Sequence, residues 1–401
     1  MHHTPFIHRC LTLAERGRGK VCLNPLVGAV LVRNGRIIAE AFHAGFGKVH
    51  AERQLLENLD QKISTEDILY VNLEPCCHQG KTPACIDIIR ERGVKNVVFG
   101  MIDPDPLVQG KGIECLRNAG IEVIGPVERA RSEWLNRGFV SLRAKGRPWV
   151  TLKASRTIDG RTANADGTPL KISSGEQDRW AHEWLRGRHD AILVGVQTVM
   201  NDDPQLTNRS TSVHTFEIED SQSLETNNRT QTENNQQTQE QTKFPETRRC
   251  GGDSGGGHRR SAFACPERSR RVRPFFAALG KERTRASDQL YSPLRIILDP
   301  QLRIPLAARV VSPDLASGTM AVTARGSGAA KREALTKRGV RVVEIPLVDG
   351  SLDLPSLWKV LTTPSGGFHG IASILIEGGA RTWRFFRATG ITDEEVTLMG
   401  M

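Results

Sequence analysis

The sequence predicts an α/β protein made of two successive α/β units, and three observations carry that reading. The chain has 401 residues, too many for one average domain of ~150 and comfortable for two. From Phe6 to Val150, short β-branched runs alternate with segments of helical apolar spacing, as layered helices and sheet require. A second series of such runs begins near Arg147-Pro148 and continues toward the end of the chain.

In the first unit, Phe6, Ile7, Leu11, Leu13 and Ala14 recur at helical spacing, and Gly17 supplies the stop. Leu26–Val32 is apolar and β-branched, Asn34-Gly35 is a tight-turn dipeptide, and Ile37-Ile38 resumes the run, which predicts a hairpin. Ile68–Leu73 and Val94–Phe99 read as strands, with helices near Ala51–Leu59 and Pro83–Arg92. In the second unit the strand candidates are Val150–Leu152, Ala191–Val194, Leu294–Leu298, Val340–Ile345 and Ile371–Ile376, with helical segments between several of them. There is no internal repeat.

Residues 208–290 break this pattern. Thr226–Lys243 is nearly all Thr, Asn, Gln and Glu, and cannot bury enough apolar surface to fold. Gly251–Gly257 and the Arg-rich Arg268–Arg273 follow. The flanking patterns fit together without this stretch, so it reads as a disordered insertion in the second unit. It lacks the interleaved aromatics that a single-strand stacking platform uses.

Composition narrows the function classes. Hydrophobic residues are 38% and charged residues 25% of the chain. No apolar run is long enough to span a membrane, and Met1–Cys10 has no continuous apolar core of a secretory signal, so the expected location is cytoplasmic. The net charge of +10 favours anionic partners. The insertion contributes little to it: Glu217–Pro245 has two basic residues against six acidic, and Glu246–Asp288 eleven against five. Most of the positive charge therefore lies in the patterned units, where a phosphorylated small molecule suits it. Eight cysteines without an export signal read as thiols or metal ligands.

The chemistry lies in two short pieces, His50-Ala51-Glu52 and Pro75-Cys76-Cys77-His78-Gln79-Gly80-Lys81-Thr82-Pro83-Ala84-Cys85. Zinc takes imidazole nitrogen and thiolate sulfur in a tetrahedral shell, and a catalytic zinc keeps one position open. One His and two Cys fill three positions and leave the fourth for water, whose pKa the metal lowers toward ~7. A Glu two residues after the His can carry protons without ligating the metal, as in zinc deaminases with His-x-Glu and Pro-Cys-x-x-Cys. Here the second Cys comes nine positions after Cys76. The expected geometry has His50 opening one helix and Pro83 in the first turn of another with Cys85 just inside, so that both helix dipoles favour thiolates. Cys76, Cys77 and His78 are consecutive, so spacing alone leaves the ligand choice open. A closed structural zinc site using Cys77 or His78 would leave Glu52 without a role. Cys10, Cys22 and Cys115 read as core residues, and Cys250 and Cys265 fall in the insertion.

Taken together, Asn24-Pro25-Leu26-Val27-Gly28, His50-Ala51-Glu52, Leu73-Glu74-Pro75-Cys76, Gly80-Lys81-Thr82-Pro83, Asp103-Pro104-Asp105-Pro106 and Gly110-Lys111-Gly112 resemble the bifunctional riboflavin-biosynthesis deaminase/reductases. The resemblance implies a three-layer cytidine-deaminase-like domain over residues 1–146 and a dihydrofolate-reductase-like α/β domain over 147–401, C-terminally short. It implies His50, Cys76 and Cys85 as ligands of one Zn2+, Glu52 as proton carrier and Asn24 as a substrate-pocket residue. Cys77 stands where the family commonly has Ser, which favours Cys76. The implied substrate is a diaminopyrimidinone with a phosphoribosylamino group.

Trp149–Lys153, Ile158-Asp159-Gly160, Asp190–Gly195, Thr198 through Thr207 and Ile376–Gly379 resemble the reductase half, which uses NADPH to reduce the ribosyl group to ribityl. Glu377-Gly378-Gly379 ends a strand and begins a helix, where amides suit phosphates and glycines allow close approach. By resemblance, Thr198 and Asp202 contact NADPH together with Gly378 and Gly379. Arg186, Leu206, Arg209 and Glu377 contact substrate, with Lys153 also in the active site. Pro169 and Lys171 replace the family's common Ser and Trp. The chain stops at Val396–Met401, which resembles the start of a strand that family members complete and follow with further sheet. An unpaired edge there predicts a weakened reductase half.

Three readings follow: a bifunctional enzyme; a deaminase with a truncated, inactive reductase-like domain; and a nucleic-acid base deaminase. The 5% aromatic content disfavours the third. The expected partner is a small phosphorylated substrate, with neither membrane nor nucleic acid, and a homo-oligomer is compatible with the sequence.

Overall fold

Asn34 and Gly35 both take positive φ, 50° and 75°, and turn the chain between β1 (Gly28–Arg33) and β2 (Arg36–Phe42). This is the tight hairpin expected of an Asn-Gly dipeptide. It is one edge of a five-stranded sheet in a computed structural model that describes residues 2–78, 83–161, 164, 170–208 and 291–400. The expected disordered insertion at 208–290 lies outside the described residues, apart from Asn208.

The first sheet has the order β2-β1-β3-β4-β5, adding β3 (Ile68–Val71), β4 (Asn96–Phe99) and β5 (Glu122–Ile124). β1 pairs antiparallel with β2 and β3, whereas β3, β4 and β5 run parallel. The helices are α1 (Thr4–Glu15), α2 (Ala51–Glu57), α3 (Cys85–Glu91), α4 (Lys111–Asn118), α5 (Arg129–Leu135) and α6 (Arg137–Lys145). One face of the sheet buries Ala29, Leu31, Leu69, Val71, Val97 and Phe99 against Leu55, Leu56, Ile86, Ile89 and Leu116 of α2, α3 and α4. α1 packs on β1 from the other side. Gly28 lets it do so, because a Cβ there would sit 2.1 Å from the Cys10 carbonyl oxygen. The layers are helix, sheet, helix.

The second sheet is seven-stranded and parallel throughout, in the order β10-β9-β8-β7-β13-β6-β14. Its strands are β6 (Trp149–Arg156), β7 (Ala191–Gly195), β8 (Leu294–Leu298), β9 (Thr319–Ala324), β10 (Arg341–Ile345), β13 (Ser373–Ile376) and β14 (Glu394–Met399). A small hairpin, β11 (Leu347–Val348) with β12 (Ser351–Leu352), lies outside it. The connecting helices are α7 (Gly175–Trp180), α8 (Val196–Asp202), α9 (Ala329–Lys337), α10 (Leu354–Thr362) and α11 (Ala380–Ala388). Both faces are covered, one core holding Leu193, Ile374 and Phe386, the other Ile192, Val194 and Ile297. Near-continuous apolar strands are what a doubly covered parallel sheet needs.

Sequence patterning missed β5 and β9. Thr319–Ala324 is buried at every position but contains Thr and Ala where longer apolar residues would have marked it. β14 pairs with β6 over six residues, from Glu394↔Thr151 to Met399↔Arg156. Among the described residues no helix is long and apolar enough to cross a membrane.

Candidate active sites

His50 is the N-cap residue of α2, and Cys85 is the first residue of α3 with Ala84 as its N-cap. Pro83 thus precedes the cap, two residues before the first helical one, instead of lying in the first turn as expected. Cys76 follows β3 by five residues, and its sulfur accepts the Cys85 amide at 3.3 Å. His50 Nδ1 lies 3.3 Å from Cys85 Sγ and 3.6 Å from Cys76 Sγ. All three donor atoms fall within 4.8 Å of one another. Tetrahedral zinc, with bonds of about 2.0–2.3 Å to nitrogen and sulfur, separates its ligands by about 3.5 Å. The donor chemistry and the spacing both suit that ion.

The two thiols are shifted in opposite directions. A hydrogen bond from the Cys85 thiol, with His50 adding, brings Cys76 down to about 4. The same bond and complete burial push Cys85 well above the usual thiol range. A bound dication stabilises both as thiolates. Glu52, in the first turn of α2, is 4% exposed. Burial raises its carboxyl above the usual value against the pull of His50. It is a carboxyl poised to hold a proton beside the donor cluster.

Asn24 joins this site through a residue that sequence reasoning missed. Its Nδ2 donates to His43 Nε2 at 3.3 Å, while His43 Nδ1 donates to the Val49 carbonyl at 3.1 Å. Those two bonds assign the His43 tautomer. Burial lowers the His43 pKa, and its ring meets the His50 ring edge-on at 5.6 Å. The signal available was a second histidine seven residues before His50.

Glu74 was visible only as a letter in a motif. Its carboxylate, 2% exposed, accepts four main-chain N–H groups at 2.9–3.4 Å, from Asp103, Gly110, Gly112 and Ile113. It thereby caps the start of α4 and ties the Asp103–Gly112 segment to the strand end that leads to Cys76. Gly112 lies directly over the Pro75 carbonyl, where a Cβ would come within 2.1 Å. Gly80, Lys81 and Thr82 lie outside the described residues.

A second constellation lies at the carboxyl ends of the adjacent parallel strands β7 and β13. Each strand runs into a helix there, with Gly195 as the N-cap of α8 and Gly379 as the N-cap of α11. Gly378 takes a φ of +146°, and a Cβ on it would meet Thr198 Oγ1 and the Thr382 side chain at 3.4–3.5 Å. Nothing lies within 4 Å of where a Gly379 Cβ would be. Two helix starts beside an open glycine turn are an arrangement whose main-chain amides can hold phosphate groups. Thr382, not foreseen from sequence, also lines it. Asp202 is the exposed last residue of α8, one turn beyond Thr198, and partial burial raises its pKa.

Arg186 and Glu377 come together as an ion pair, with Nε and Nη2 donating to the two carboxylate oxygens at 2.9 and 2.7 Å. Arg186 Nη1 also donates to the Thr207 carbonyl at 3.1 Å. Burial alone would raise the Glu377 carboxyl, but Arg186, with Lys153 and His182 adding, holds it at about 2. Leu206 has a φ of +51° and turns its side chain into the core with Ile192 and Val194, so that the residue is buried. Arg209 and Pro169 lie outside the described residues.

Residues 1–101 match the cytidine and deoxycytidylate deaminase zinc-binding region, and residues 148–239 match the RibD C-terminal domain. The riboflavin biosynthesis protein RibD of Bacillus amyloliquefaciens is 32% identical over 97% of this chain and 82% of its own length. That of Aquifex aeolicus is 32% identical over 98% and 85%. Among solved structures, Acinetobacter baumannii RibD superposes with a TM-score of 0.67 at 28% identity, over 99% of this chain and 86% of that one. A diaminohydroxyphosphoribosylaminopyrimidine deaminase/5-amino-6-(5-phosphoribosylamino)uracil reductase from Thermotoga maritima gives 0.64 at 28% identity, over 99% and 87%.

Proposed function

The chain belongs to the RibD family, the bifunctional deaminase/reductases of riboflavin biosynthesis, and from that premise we propose how its residues divide the work. Residues 1–146 deaminate 2,5-diamino-6-(5-phosphoribosylamino)pyrimidin-4(3H)-one, and residues 147–401 reduce the ribosyl group of the product to ribityl. The observation that carries the first assignment is the convergence of His50, Cys76 and Cys85 beside the buried Glu52.

His50, Cys76 and Cys85 would hold Zn2+, a Lewis acid that makes water an effective nucleophile near neutral pH. Glu52 moves the protons. Its carboxylate takes one from the attacking water and returns it to the departing ring amine, so ammonia leaves as the C–N bond breaks. Burial suits both strokes, because it brings the carboxyl pKa up toward the operating pH. Asn24, oriented by the neutral His43, supplies a polar wall for the pyrimidine edge.

For reduction, NADPH supplies a hydride. Gly378, Gly379, Thr198 and Asp202 would bind it, with Thr382 beside them. Lys153, Arg186, Leu206, Arg209 and Glu377 would position the opened ribose and its phosphate. The Arg186–Glu377 pair holds one polar arm of that pocket rigid before substrate arrives.

The deciding experiment follows the aminopyrimidine phosphate with and without NADPH. Deaminated product in both cases, and the ribityl compound only with NADPH, is the expected result. Deamination without any NADPH-dependent product would remove the second assignment, and no ammonia release would remove the first.

A further inference from the structure

The two loops that carry Asn24, His43 and His50 are bound to each other. The Phe46 amide donates to the Lys20 carbonyl at 2.8 Å. Gly17 passes so close to the His43 carbonyl that a Cβ there would sit 2.5 Å from the oxygen. Neither loop rests on the first sheet alone. The Phe46 ring stacks on the His369 imidazole, with centroids 4.8 Å apart and planes inclined by 27°. Gly370, at a φ of +85°, lies against Leu23, where a Cβ would approach the side chain to 2.8 Å. Tyr291 covers Gly19 so closely that a Cβ there would overlap its ring. Asn24 itself shares the wall of a small cavity with Asp190, Ala372 and Ser373. Tyr291, His369 and Gly370 all come from the part of the chain that builds the second sheet.

We propose that His369 is a positioning residue for deamination. Through its stack on Phe46 it fixes the loop between His43 and His50, and with it the Asn24–His43 side of the substrate pocket. The inference rests on the deaminase reading of that site. His50 is also tied to the two sulfurs, whereas His43 and Asn24 depend on the loops for their placement. Loosening the stack therefore falls on substrate binding and leaves the proton transfer by Glu52 intact. It also makes the reductase half a structural contributor to the deaminase pocket.

The test compares His369→Ala with His369→Phe in the full-length chain. An offset aromatic stack contributes enough that its loss should raise KM for the aminopyrimidine phosphate about three- to tenfold. The deaminase kcat, zinc content and NADPH-dependent reduction should stay unchanged in His369→Ala, and His369→Phe should recover KM. Amide hydrogen exchange over residues 43–50 should quicken in His369→Ala alone. Exchange reads the stack independently of turnover, so a wild-type chain that releases no ammonia would sink the deaminase reading while the exchange result still judged the stack. Unchanged exchange and KM in His369→Ala, His369→Phe as impaired as His369→Ala, or equal loss of both activities would each overturn the proposal.

Discussion

Arg186 and Glu377, separated by 191 residues in sequence, meet through two parallel N–H···O bonds at 2.9 and 2.7 Å. Both are nearly buried, with side chains 6% and 12% exposed. Removing one member of such a pair leaves an uncompensated charge, which costs about 3–5 kcal/mol. Arg186→Met should therefore lower the unfolding free energy by about that much and abolish reduction; denaturant titration and NADPH consumption check the two effects.

The same pair sets a pH dependence. Glu377 is held at about 2 in the folded chain against an ordinary 4.5. Its contribution to stability is complete above the ordinary value and drains as pH falls from there toward 2. The acid limb of the wild-type stability profile should flatten in Glu377→Gln, which has no proton to take up.

Glu52→Gln should keep zinc and lose deamination by about 10²–10⁴-fold, the usual worth of a positioned acid–base group. Metal analysis and ammonia release together check it. Turnover near the wild-type rate would remove Glu52 from the mechanism.

Zinc removal should separate the two activities. A strong chelator is expected to strip about one zinc per chain, halting deamination while NADPH-dependent reduction of pre-formed deaminated substrate continues. Loss of both would show the metal to be a structural requirement of the whole chain.

Glu74→Ala deserves a stability readout before a kinetic one. It strips a charged partner from three buried N–H donors and a part-buried one, and unsatisfied buried donors cost about 1–3 kcal/mol each. A lower urea midpoint and faster loss of zinc to a chelator are expected, because Cys76 lies two residues away. Gly378→Val, by contrast, should leave deamination alone and raise KM for NADPH, since a β-branched residue is strained at a φ of +146°.

The legible parts of this protein were those encoded locally. Asn34-Gly35 announced its hairpin because two successive positive φ angles are a property of the residues themselves. His50-Ala51-Glu52 and the cysteines announced a metal site because few other uses require those side chains at that spacing. β9 was missed because Thr and Ala in a fully covered strand carry no alternation to read, and β5 because three residues are too few to show a period. His43 and Glu74 were missed because they act through partners distant in sequence, Asn24 19 residues from His43 and Ile113 39 residues from Glu74.

By itself, then, the sequence determined the α/β class, the two-unit order and the candidates for metal ligands and proton carrier, since residue type and short spacing already constrain backbone and coordination chemistry. Tertiary structure decided what those pieces lean on. Packing placed His43 between Asn24 and His50, gave Glu74 four amides, joined Arg186 to Glu377, turned Leu206 inward and laid His369 on Phe46. Each of these is a contact between distant segments, and its energy exists only once burial has excluded water from both partners at the same time.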